Sequence, residues 1–268
     1  MDLATILGLA MAWGAVFISL SLEGGKLADL FNVSAFVLVV LGTIGATVIG
    51  TSMKTLATIP SIVKSALVIN DLDQVEVIDA MVGFAKIARR EGVLALEEAA
   101  NKISNRFMRK GIELVVDGTP SVMVREILET EIVAMQERHK VGETIFSTLG
   151  GFSPTLGIIG TVMGLISMLA KLNEPGSMGH AIAAAFVATL YGVGFANLIY
   201  LPIAGKLKSK TADEVLAYEM VIEGVMSIQS GDNPRIVETR MMAYLPPALR
   251  AEREKTKSVT RVRDKMAA

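Results

Sequence analysis

Two threonines sit where a hydroxyl oxygen is the strongest ligand available. Thr161 lies in "GGFSPTLGIIGTVMGL" (150–165) and Thr189 in "AIAAAFVATLYGVGFAN" (181–197). At helical spacing, Gly157, Thr161, Gly164 and Met168 fall at i, i+4, i+7 and i+11. Ala185, Thr189, Gly192 and Ala196 repeat the pattern. Each stripe is narrow and smooth, with a hydroxyl at its centre. Two readings compete. In the first, small residues let membrane helices approach, Gly160 and Gly164 form a GxxxG pair, and threonine bonds the carbonyl four residues back. In the second, Gly157, Gly164, Ala185 and Gly192 form a surface for a foreign helix, and the hydroxyls serve an ion or water. Hydroxyl oxygens suit a hard cation, but they cannot exchange protons near neutral pH. Gly42, Ala46 and Gly50 have small-xxx-small spacing and read as plain packing.

The elements that carry these stripes follow from composition. Apolar residues make up 51% of the chain and aromatics only 5%, a balance that points to membrane helices rather than a soluble core. There is no cysteine, which excludes disulfides and thiolate metal sites. His139 and His180 are far apart in sequence, so a His-rich metal site or a Ser-His-Asp triad has little to draw on. Uncharged stretches fall at 3–22, 30–53, 144–170 and 181–205. Each supplies the roughly 20 residues a crossing needs. Asp2 stands where a signal peptide would carry basic residues, so the first stretch reads as a span.

Lys26 and Lys171 lie in the two short links, and every other Lys and Arg lies in 54–143 or 206–268. The positive-inside bias places those two segments, and with them both termini, in the cytoplasm. The expected fold is an all-α integral membrane protein with four spans. Its parts are a first transmembrane hairpin (1–53), a cytoplasmic helical domain (54–143), a second hairpin (144–205) and a cytoplasmic C-terminal helix with a charged tail (206–268).

Within the charged segments, a helix is expected from a cap at Asp71 or Asp73 to Gly92, and another over 93–118 ending at Asp117-Gly118. Thr119-Pro120 reads as an N-cap followed by proline at the first helical position. From there a single helix is expected to reach Ala170, bent near Pro154. A separate helix is expected over 211–231, followed by a charged, frayed end.

No Asp, Glu, Lys, Arg or His lies inside any expected span. Ion pumps and carriers keep an ionisable group at depth, so any titrating group must come from a partner. No GxxxxGK[ST] loop occurs, which argues against an ATP-driven machine. No cluster of nucleophile, base and oxyanion donors can be assembled, so no enzyme is expected. No cofactor, bound metal or nucleic-acid partner is expected either.

The chain resembles the MotA/PomA family of flagellar motor stator subunits. The likeness rests on "LGIIGTVMGL", "ATLYG…N…LPIAGKL", "ARREGVLALEE", "GIELVVDG" and "GDNPR", in that family arrangement over nearly the whole chain. The related ExbB/TolQ energisers of outer-membrane processes have three spans, so the extra N-terminal hairpin argues against them. A non-conducting scaffold is the alternative of a different class. The resemblance implies a pentamer around a MotB/PomB-type one-span partner whose helices each carry an essential Asp. It implies an inner-membrane location and torque on a FliG-type rotor switch protein. Pro154 and Pro202 match prolines that couple ion binding to movement, with Pro202 closing the fourth span. Arg89 and Glu97, with neighbours Arg90 and Glu98, match the rotor-facing charges. Thr161 and Thr189 match hydroxyls near the partner's Asp. The transported ion is H⁺ or Na⁺. Thr161 leans it towards Na⁺, while Ala188, where sodium-driven relatives carry Thr, leans against.

Overall fold

In the computed structural model the described residues are 3–67, 73–171, 173 and 175–255. Every regular element among them is helical. Contacts divide the chain into two units. One joins Met1–Asn70 with Glu137–Lys210, and the other joins Asp71–Gln136 with Thr211–Ala268.

The first unit opens with α1 (Leu3–Leu22), which buries none of its residues. Leu22 is 83% exposed and Met11 74% exposed, an apolar surface that suits lipid. A 3₁₀ turn leads to α2 (Val33–Ile49), where the Asn32 side chain accepts from the Ala35 N–H as N-cap. The helices α3 (Met53–Leu56) and α4 (Ile59–Leu67) follow. The C-terminal part of α8 (Ser121–Leu169), then α9 (Pro175–Phe195) and a π-helical turn (Ala196–Tyr200), complete the unit. Among the described residues three stretches are long and apolar enough to cross a membrane: Leu3–Leu22, Ser121–Leu169 and Met178–Gln229. Val33–Ile49 is equally apolar but has 17 residues, about 26 Å at 1.5 Å per residue.

The second unit contains α5 (Gln74–Glu91), α6 (Leu96–Ala100), α7 (Arg106–Val116), the start of α8, α10 (Leu201–Gln229) from Thr211 onward, and α11 (Pro234–Met242). Asp73 caps α5 and Gly92 ends it at φ 88°, a conformation that favours glycine. Asp71, the other expected cap, lies outside the described residues. The apolar stripes of these helices converge on Ile78, Met81, Leu96, Ile112, Leu128, Met220, Val225 and Met241, all fully buried. Gly111 lets α7 approach α10, since a methyl there would stand 2.8 Å from Val225 Cγ2.

Three expectations are corrected. The segment after Gly92 is divided into a 3₁₀ turn, α6 and α7. The Asn105 side chain accepts from the Met108 N–H and so starts a new helix. The Arg109 guanidinium closes the intervening loop by donating to the Ile103 carbonyl. The long helix α8 begins at Ser121, one residue later than expected, with the Pro120 carbonyl accepting its first bond from Val124. The third correction concerns the chain after Pro202. The backbone runs on through α10 to Gln229, so the expected separate helix over 211–231 is a continuation. Proline lacks an N–H and crowds the carbonyl four residues back. The π turn immediately before Pro202 widens the helix where that crowding falls.

Candidate functional site

The two small-residue stripes meet each other. A methyl built on Gly157 would stand 3.0 Å from the Ala188 carbonyl oxygen and 3.2 Å from Gly192 Cα. One on Gly192 would stand 2.7 Å from the Ser153 carbonyl oxygen and 2.9 Å from Gly157 Cα. One on Gly164 would stand 2.7 Å from Ala185 Cβ. At these positions α8 and α9 touch backbone to backbone. Gly157, Gly164, Ala185 and Gly192, expected to receive a foreign helix, therefore pack within the chain. Ser153, fully buried, ties the crossing: its hydroxyl donates to the Gly192 carbonyl at 2.9 Å. Ser153 escaped the sequence reading, although it stands four residues before Gly157 on the same stripe.

Helix α2 covers one side of this seam. Gly42 receives Leu156, Leu38 reaches towards Gly160, and Ala35 packs with Val187 and Ala188. Residues advance about 100° around a helix. Thr161 lies one step beyond Gly160, and Thr189 one step beyond Ala188. Because α8 and α9 run antiparallel, both steps turn away from α2. Both threonines are half-buried and border the opposite, open side of the seam. Their flanks are exposed and apolar: Ile158 is 58% exposed and Phe186 70%. The contacts of Gly157 and Gly164 set the register, placing Thr189 level with Gly157 and Thr161 about one turn further along α8.

The Thr161 hydroxyl donates to the Ile158 carbonyl of its own helix at 2.6 Å. Its proton is thereby occupied, and the oxygen lone pairs remain to accept. No Asp, Glu, Lys, Arg or His lies between Thr144 and Leu169 on α8 or between Ala181 and Gly205. Among the described residues no group of three or more His, Cys, Asp and Glu could hold a metal. The site can lend oxygens to a hard cation, but it cannot take up and release protons by itself.

Pro154 lies inside α8, as expected. It leaves the carbonyl of Gly150 without its helical N–H donor. Gly150 itself receives the Leu201 side chain, so this break lies beside the start of α10, next to the π turn and Pro202. Both helices of the seam thus carry a backbone irregularity in one layer.

The charged candidates occupy the second unit. Arg89 and Arg90 end α5, and Glu97 and Glu98 lie in α6. All four are exposed. Arg90 pairs with Glu91 at 2.5 Å and Glu98 with Lys102 at 3.2 Å. Arg89 and Glu97 make no ion pair among the described residues, which leaves their charges available to an outside partner.

A seam of glycines between two apolar helices long enough to cross a membrane, bordered by hydroxyls, belongs to the class of close-packed helical membrane proteins. Comparison with known proteins narrows that class. Residues 99–220 match the MotA/TolQ/ExbB proton channel family, and residues 6–92 match the motility protein A N-terminal family. The chain is 36% identical to motility protein A of Bacillus subtilis over 247 residues, 92% of each chain. It is 36% identical to chemotaxis protein PomA of Vibrio alginolyticus over 251 residues, 94% of this chain and 98% of that one. The flagellar MotAB stator complex of Bacillus subtilis matches with TM-score 0.88 and 36% identity, covering 93% of this chain and 98% of that one. The C. jejuni MotAB structure gives TM-score 0.88 and 31% identity, covering 92% and 97%. The chain belongs to the MotA/PomA family of flagellar stator subunits, within the MotA/TolQ/ExbB proton channel family.

Proposed function

We propose that this chain forms, with a MotB/PomB-type one-span partner, an inner-membrane channel that converts ion flow into torque on a FliG-type rotor protein. One observation carries the reading. The open side of the α8–α9 seam presents Thr161 and Thr189 with no Asp, Glu, Lys, Arg or His at that depth. A partner helix bearing an Asp supplies the missing group and receives hydroxyl oxygens in return. The MotAB complexes among the similar structures support such a partner.

In this reading α1, α2, the second half of α8 and α9 make four crossings. Local thinning of the bilayer accommodates the shorter α2. Both termini, the second unit, Arg89, Arg90, Glu97 and Glu98 are cytoplasmic, and several copies, a pentamer, ring the partner helices. Each ion crossing ~100 mV releases ~2.3 kcal/mol per charge. That suffices for a local rearrangement around Pro154 and the π turn before Pro202, and not for unfolding. The ion is H⁺ or Na⁺, with Thr161 favouring Na⁺.

The test is complementation of a strain lacking both stator genes. The chain together with a one-span partner carrying an intramembrane Asp should restore swimming, and the chain alone should not. Changing that Asp to Asn should abolish it. Swimming restored by the chain alone would overturn the proposal. Speed measured against external Na⁺ identifies the ion.

A further inference from the structure

In the first unit, a short amphipathic helix packs where the apolar stretches give way to charge. Ile59, Ile62 and Val63 of α4 pack against Ile145, Phe146 and Leu149 of α8 and Ala204 of α10. Gly142 admits the contact, since a methyl there would stand 2.8 Å from Ile62 Cγ2. The charge-free stretch of α8 begins at Thr144, and that of α10 ends at Gly205. The helix α4 therefore meets both at the level where those stretches end. Just before it, Ile49 is 90% exposed and Met53 77% exposed, an apolar edge continuous with the surface of α2.

Around this edge the exposed side chains are basic. Pro60, Ser61 and Lys64 form the exposed face of α4, and Lys54 follows Met53 in α3. Arg138 stands one turn before Gly142 on α8, and Lys208 one turn after Ala204 on α10, each on the surface next to α4. Lys54, Lys64, Arg138 and Lys208 are exposed, and none makes an ion pair among the described residues. The carboxylates of the same layer do not offset them. Glu137 pairs with Lys140 at 3.5 Å, which leaves the half-buried Glu143 against four cations.

We propose that α3, α4 and the adjoining turns of α8 and α10 bind acidic phospholipids of the cytoplasmic leaflet. Lys54, Lys64, Arg138 and Lys208 hold the headgroups, and Ile49 and Met53 meet the acyl chains. Charge complementarity and the apolar edge together select a lipid, because a soluble anion would leave that edge uncovered. The inference rests on the crossing arrangement proposed above. Each Lys or Arg beside an anionic membrane surface raises affinity roughly fivefold.

Trp13 is the only tryptophan, so Trp13→Phe with Ile49→Trp places one fluorophore at the site. The full chain is reconstituted in mixed phosphatidylcholine and phosphatidylglycerol vesicles with one lipid brominated at a time. Quenching then gives the relative affinity of the two lipids beside the fluorophore. Phosphatidylglycerol should be preferred about fivefold or more at Ile49→Trp, and high salt should weaken the preference. Leu22→Trp, near Lys26 with Glu23 and Asp29, should show little preference. Changing Lys54, Lys64, Arg138 and Lys208 together to Gln should remove the preference at Ile49→Trp and leave quenching at Leu22→Trp unchanged. Equal quenching by the two lipids at Ile49→Trp, or a preference that survives the four substitutions, would overturn the inference and leave the crossing arrangement standing. No quenching by either lipid at Ile49→Trp would overturn both.

Discussion

The Ser153 hydroxyl donates across the α8–α9 crossing to the carbonyl of Gly192, while Gly192 faces the Ser153 carbonyl with no room for a methyl. One pair of residues thus sets both the spacing and the register of the seam. Gly192→Ala must push the helices apart, and overpacking of this kind costs about 1–3 kcal/mol. Gly194→Ala is the control, because a methyl there meets only Trp13 at 3.7 Å, an ordinary contact. Thermal unfolding in detergent should show a clear loss for Gly192→Ala and little change for Gly194→Ala. Equal stability of the two variants would mean that the seam is not close-packed.

Pro154→Ala restores an N–H to the buried Gly150 carbonyl and removes the proline ring from the preceding turn. The variant should assemble normally and resist heat better than the parent. It should also fail to turn a motor, because the layer shared with the π turn has lost its compliance. Rotation at the parent's speed under load would show that Pro154 is only a tolerated break.

Arg89→Glu and Glu97→Lys should separate torque from stability. Both side chains are exposed and unpaired among the described residues, and such surface charges contribute about 0–1 kcal/mol. Membrane abundance and unfolding temperature should hold while swimming falls. A compensating reversal on the rotor protein should recover part of it. Failure of every rotor reversal to rescue would remove direct charge contact from the account.

Alkaline titration reports on the core of the second unit. Tyr218 stacks on Phe107 with ring centroids 4.2 Å apart. Burial, and then the charge of Glu214, push its hydroxyl up to about 12. The ordinary value is about 10, so the folded state favours the neutral phenol. The resulting stability is complete below pH ~10 and is lost as pH rises through about 12. Tyr218→Phe keeps the stack and should flatten stability against pH across that window. An unchanged slope would place the alkaline loss elsewhere.

Much of this was legible in the residues. Asp73, Gly92 and Asp117-Gly118 announce their helix ends by turn and cap chemistry, and the charge-free stretches announce the apolar helices. Thr161 and Thr189 stood out because each is a hydroxyl at the centre of a stripe of small residues. The partner of each stripe was not legible. Small residues at i, i+4 and i+7 suit any close helix, and only the crossing of α8 on α9 shows that Gly157 and Gly192 meet each other. The continuation through Pro202 was hidden for a related reason. A proline reads as a stop unless the preceding turn widens, and nothing in Ala196–Tyr200 marks a π turn by type.

The central claim is that Thr161 and Thr189 contribute oxygens to an ion path on the open side of the seam. Rotation speed of single motors, with Ser or Val at each position, tests it most directly. Thr→Ser keeps the oxygen and leaves a gap, whereas Thr→Val fills the volume and removes the oxygen. With assembly unaltered, the Ser variants should rotate and the Val variants should stop. In a Na⁺ motor, Thr161→Ser should also shift the Na⁺ concentration for half-maximal speed. Val variants that rotate faster than Ser variants would contradict the account and return both threonines to ordinary helix packing.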